Sequence, residues 1–154
     1  MNDILFIIPT LNENKNVTTI YKQICKYQKK ADILFIDDNS KDGTKKEIEN
    51  LKIKSKKIFF IFRKNKKGIG SAHKIGIKWG YKKNYKYICT MDCDGAHHPK
   101  DVNKMLKKIK NCDLVNTNRF VRKESMLDWK VHRIFITKTR YFLIGLLLNT
   151  KLDS

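Results

Sequence analysis

The chain has 154 residues and sets 34 Lys and Arg against 15 Asp and Glu, a formal net charge of +19. That length fits one domain with a real core and leaves little room for a second. Its 4 cysteines (Cys25, Cys89, Cys93, Cys112) form no CxxC pair, the first residues lack a signal peptide's order, and the longest apolar run, YFLIGLLL from Tyr141 to Leu148, is too short to span a bilayer, so a reduced, cytosolic chain is expected.

In chain order, ILFIIP (Ile4 to Pro9) reads as a buried strand. NKNVTTIYKQICKY then sets Val17, Ile20, Tyr21, Ile24 and Cys25 along one helical face. ADILFIDD (Ala31 to Asp38) is a second strand, followed by NSKDGT, turn chemistry in which Asn39, Ser40 and Asp42 can cap the next helix. KIFFIFR (Lys57 to Arg63) is a third and leads through KNKKGIG into an amphipathic SAHKIGIKWGYKK. YKYICTMD (Tyr85 to Asp92) is a fourth, KDVNKMLKKIK a further helix, and CDLVNTNR (Cys112 to Arg119) a fifth strand.

Apolar strands separated by helical segments predict an α/β fold with a mostly parallel sheet covered on both faces, since parallel strands need crossover helices. Ligands bind such sheets outside the carboxyl ends of the strands. Here those ends deliver PTLNE, DDNSKDG, DCDGAHH and TNR, so the scarce acids of a basic protein collect at one edge. GIGSAHKIG matches neither a dinucleotide fingerprint, having His73 at the sixth position, nor a P-loop. Gly68 and Gly70 are expected to shape a turn, and Gly76 and Gly80 to permit close packing.

Asp92 and Asp94 stand two apart, which in an extended segment puts both on one side, about 7 Å apart. Two carboxylates at about 4 Å repel by about 4 kcal/mol at an effective dielectric of 20, so a site that holds them close holds a cation too. Oxygen donors favour Mg²⁺ or Mn²⁺ bridging to a substrate diphosphate. The plain alternative is a pair of solvated acids in a turn. Cys93, His97 and His98 offer a zinc alternative, but a C-x3-H-H cluster lacks the paired spacing of structural zinc sites. The net charge would also suit a nucleic acid or an anionic membrane. However, the excess is mostly Lys beside abundant Asn and Ile, a pattern that an AT-rich genome produces without any partner.

Taken together, IIPTLNENKNV, IDDNSKDGT, GIGSAHKIGIKWG, MDCDGAHHPKDV and NRF, with WKVHRIFITKTRYFL beyond, resemble the family 2 glycosyltransferases of GT-A fold, most closely the dolichyl-phosphate (polyprenyl-phosphate) mannosyltransferases. The resemblance implies a GT-A, Rossmann-like catalytic core over residues 1–125 and a C-terminal amphipathic helical segment over 126–154. It also implies a nucleotide-sugar site made by Pro9, Leu11, Glu13, Ile36, Asp38, Asp92, Cys93, Asp94, Ala96 and Arg119. Asp92 and Asp94 would hold Mg²⁺ or Mn²⁺, and Asp94, Arg119 and Arg133 would be catalytic, the arginines because a planar guanidinium grips phosphate bidentately.

The donor implied is GDP-mannose and the acceptor a polyprenyl phosphate, already anionic and in no need of a protein base. Trp129 to Leu148 interleaves apolar residues with Lys130, Arg133, Lys138 and Arg140, which suits a peripheral place on the cytosolic face of a membrane, the endoplasmic reticulum in a eukaryote, with or without an anchoring subunit. A helix hairpin closing the core is the competing reading of that segment. No nucleic-acid partner is expected. Leu11 stands where the mannosyltransferases carry Tyr, and Ala96 where they carry Gln or Ser. Asp153 and Ser154 match the opening of the family's Asp-x-Thr-Gly-x-Phe-Arg segment, so the C-terminal part is expected to be incomplete. The alternatives are a UDP-sugar donor, or an inactive nucleotide-binding remnant.

Overall fold

The computed structural model describes residues 2–65, 67–117 and 131–148. In chain order the elements are β1 (Ile4–Thr10), α1 (Asn14–Tyr27), β2 (Ala31–Asp37), α2 (Thr44–Lys54), β3 (Ile58–Phe62), α3 (Ile69–Lys82), β4 (Tyr87–Thr90), α4 (Val102–Lys108) and α5 (Val131–Leu148). Short 3-10 turns occupy Pro99–Asp101 and Ile109–Asn111. The chain divides into two compact units, Met1–Lys107 and Lys108–Ser154.

In the first unit every strand pairing is parallel and the order is β3-β2-β1-β4. The central strands are apolar without alternation because helices cover both faces. Phe6 and Ile8 of β1 with Ile33 and Phe35 of β2 meet Val17, Ile20 and Ile24 of α1 and Ile48 and Leu51 of α2. The intervening Leu5, Ile7, Leu34 and Ile36 pack on the other face with Ala72, Ile75 and Trp79 of α3.

Two glycines of α3 let it lie close to the sheet. A Cβ on Gly76 would stand 2.5 Å from Ile7 Cγ2 and 3.0 Å from Ile36 Cδ1, both rigidly packed. Gly76→Ala should therefore destabilise the fold by about 1–3 kcal/mol, the usual cost of overpacking, read as a lowered urea midpoint at unchanged slope. Gly80 meets Leu5 and Ile88 in the same way.

The sheet departs from expectation at its predicted fifth strand. Cys112 to Thr117 form no strand, and residues 118 and 119 lie outside the described residues. Leu114 is 82% exposed. With only Leu114 and Val115 apolar in succession, this segment has too little to bury on two faces.

In the second unit, α5 leaves Phe135, Ile136, Phe142, Leu146 and Leu147 exposed beside Lys138 and Arg140. Among the described residues no helix is long and apolar enough to cross a membrane.

Candidate functional site

The strand order reverses at β1, which has β2 on one side and β4 on the other, while α1 and α2 cover one face and α3 the other. Such a switch point opens a crevice at the carboxyl ends of the two diverging strands. Here β1 leaves it through Leu11, Asn12 and Glu13, and β4 through Met91 to Gly95.

The β1 and β2 exits are stitched together. The Asn12 amide donates to Ser40 Oγ and the Lys41 amide donates back to Asn12 Oδ1, each at 2.9 Å. The Glu13 amide donates to Thr44 Oγ1 at 2.8 Å and the Asn14 amide to Asp42 at 3.0 Å. Buried Asp37 accepts from Thr10 Oγ1 at 3.0 Å and from the Ser40 amide at 2.9 Å. Desolvation pushes the Asp42 carboxyl up, but hydrogen bonds from the Thr44 hydroxyl and the Asn14 and Thr44 amides outweigh it and leave the group below its ordinary value. Asp42 is thus kept as an anion that ties the two loops. Leu11 stays exposed on this scaffold and Glu13 half-buried. Pro9, half-buried, pairs with Ile36, whose side chain lies fully inside the α3 face and leaves only its backbone for a ligand.

Asp38 is engaged differently from the other acids. Its carboxylate forms a buried ion pair with Arg63 at 2.6 Å and accepts from the amides of Lys67 and Gly68 at 3.1 and 2.8 Å. Gly68 holds φ 81, a left-handed conformation that glycine adopts without strain. Arg63 in turn bonds Gly68 O at 3.1 Å and the Ser71 hydroxyl. The pair fastens the start of α3 to the end of β2. Sequence reasoning passed over Arg63, since nothing in its spacing links it to Asp38 some 25 residues earlier.

The DCD segment lies just past β4 rather than within it. The Met91 amide still donates to Ile7 O at 3.1 Å, after which the chain turns. Cys93 points inward, 4% exposed in the core cluster, while Asp92 is half-exposed and Asp94 exposed. Asp94 Oδ1 accepts from the Ala96 amide at 2.8 Å, and Asp92 lies 3.6 Å from His97 Nδ1. The Cys93 thiol is pushed up to about 12, by burial first and then by the negative charges of Glu13, Asp94 and Asp92. Glu13 stands at the β1 exit and both aspartates at the β4 exit. His98 Nδ1 accepts from the Lys100 amide at 3.1 Å and its ring meets Tyr27 edge-on, a helix-capping role.

Among the described residues no group of three or more His, Cys, Asp and Glu side chains is arranged to enclose a metal. Buried Cys93 and the capping His98 supply no zinc set. Two carboxylates turned outward suit instead a hard cation that takes its remaining ligands from water and a diphosphate. Arg119 lies outside the described residues, and Arg133 belongs to α5 with its side chain outside them.

Comparison with known proteins agrees with this fold. Residues 5–153 match the family model of glycosyl transferase family 2. An undecaprenyl-phosphate mannosyltransferase of Micrococcus luteus is 30% identical over 87% of this chain and 55% of its own length. A polyprenol monophosphomannose synthase of Mycolicibacterium smegmatis is 31% identical over 88% of this chain and 52% of its own. The chain thus spans about half the length of the curated relatives it matches. Among solved structures, S. aureus TarS 1-349 in complex with UDP superposes with a TM-score of 0.57 at 18% identity, over 70% of this chain and 32% of the other, a likeness of fold. A parallel sheet with its strand order reversed at β1, in a sequence that follows the family model over residues 5–153, means that the chain belongs to glycosyl transferase family 2.

Proposed function

We propose that this chain carries the donor site of an inverting, divalent-metal-dependent glycosyltransferase that moves mannose from GDP-mannose to a polyprenyl phosphate at the cytosolic face of a membrane. The observation that carries the reading is the outward-facing pair Asp92 and Asp94 just past β4, at the switch point between β1 and β4. Two relatives, named as an undecaprenyl-phosphate mannosyltransferase and a polyprenol monophosphomannose synthase, support mannose as the sugar and a polyprenyl phosphate as the acceptor class.

In this reading residues 1–125 form the donor-binding core, with the nucleoside held between the β1 and β2 exits, and residues 126–154 form the amphipathic segment. Asp92 and Asp94 would hold Mg²⁺ or Mn²⁺, which would offset charge on the departing diphosphate. A phosphate oxygen of the acceptor attacks the anomeric carbon, the bond from that carbon to the donor's diphosphate oxygen breaks, and the electron pair leaves with GDP. A single displacement inverts the centre and needs no protein base. Arg119 and Arg133 position the acceptor phosphate and offset its repulsion from the leaving group. The exposed apolar residues of α5, beside Lys138 and Arg140, suit contact with a lipid surface.

Calorimetric titration of the full-length protein with GDP and with UDP, each with and without Mn²⁺, tests the donor site. The expected result is GDP binding that requires the metal and exceeds UDP binding at least about tenfold, a difference of 1.4 kcal/mol. Nucleotide binding indifferent to Mn²⁺, or absent throughout, would remove the basis for the proposal.

A further inference from the structure

The first unit has a second concavity, at the edge of the sheet opposite the crevice. Where the amino ends of β1, β2 and β3 meet the end of α3, a hollow of 390 Å³ is lined by Lys56, Lys57, Lys83, Phe59, Trp79 and Tyr85, within the size range of small-molecule sites. Its walls are aromatic. Trp79 lies 5.1 Å from Phe59 and stacks at 6.0 Å on Tyr85, ring centre to ring centre. Its one carboxylate, Asp32, is 6% exposed and already accepts from Tyr85 Oη and from Asn2 Nδ2, both at 2.7 Å.

The lysines come from two different loops. Lys56 and Lys57 follow α2, and Lys83 caps α3 with its Nζ 6.0 Å from the Trp79 ring centre. The ends of two helices explain part of this charge, since each carries about half a negative charge. Three lysines less one aspartate make +2, so about one positive charge remains after both helix ends are offset. Helix dipoles also do not explain why the cations rim an aromatic hollow.

We infer that this hollow is a binding site for a soluble phosphate monoester with a flat apolar body, the phosphate held by Lys56 and Lys83 and the body laid against Trp79 and Phe59, while Lys57 Nζ donates to Lys29 O at 2.6 Å. Ammonium groups from two loops can share a dianion, and aromatic walls reward a ring. A lipid headgroup is the wrong occupant. Docking this edge on a bilayer would turn the opposite crevice away from a membrane-borne acceptor, a step that rests on the proposed function.

The test uses Trp79 as its reporter, with the second tryptophan, Trp129, replaced by Phe. Phenyl phosphate should quench Trp79 saturably, inorganic phosphate should bind about tenfold more weakly for want of the ring, and phenol should not saturate. The double substitution Lys56→Gln and Lys83→Gln, both at exposed positions, should weaken phenyl phosphate at least about tenfold. Asp94→Asn should leave the titration unchanged, which separates this site from the donor crevice. Absence of saturable quenching, indifference to the lysine substitutions, or preference for phosphatidylglycerol vesicles over phenyl phosphate would overturn the inference.

Discussion

Asp94→Asn is expected to lower transfer by the full-length protein at least about a hundredfold, the scale of losing one preorganised electrostatic contact to a transition state, and to abolish Mn²⁺-dependent GDP binding. The substitution isolates charge from fold. Asp94 is exposed, and its Oδ1 accepts from the Ala96 amide at 2.8 Å within the turn, a bond that an asparagine Oδ1 accepts equally well. The melting temperature should therefore stay put while the metal-dependent signal disappears. Steady-state transfer from GDP-mannose to a polyprenyl phosphate, paired with thermal unfolding, measures both. An Asp94→Asn protein that keeps its activity would show that the metal, if used, is held elsewhere.

Arg63→Met should strongly destabilise the first unit. It leaves the Asp38 carboxylate, whose side chain is 6% exposed, buried without its cation, and breaking such a pair from one side costs about 3–5 kcal/mol. For a chain of this size that corresponds to a fall in Tm on the order of 10 °C. Adding Asp38→Asn removes the stranded charge, so the double variant should lose less than the two single variants summed. Chemical denaturation of the four proteins gives the coupling directly. A loss below about 1 kcal/mol for Arg63→Met would mean that solvent reaches the pair and that it does not hold the β2 exit to α3.

The sequence by itself determined the class of fold and the edge where the acids collect. Ile4 to Thr10 and Ala31 to Asp37 are apolar without alternation because both faces of a parallel strand are covered, and that mark survives in a string of letters. Parallel strands also all end on one edge, so acids placed after successive apolar runs share that edge whatever the packing. Glu13, Asp38, Asp92 and Asp94 could be assigned to it before any coordinates.

What each carboxylate does there was decided by tertiary structure alone. Asp38 turns into an ion pair with Arg63, Asp42 ties the β1 exit to α2, and Asp92 and Asp94 stay open to solvent just past β4. Cys112 to Thr117 make no strand, although Leu114 and Val115 mark a short apolar run there. The physical reason is common to all of these. A charge partner, a ladder or a buried face is supplied by residues tens of positions away, and whether they arrive depends on strand register and side-chain direction, which local spacing does not encode.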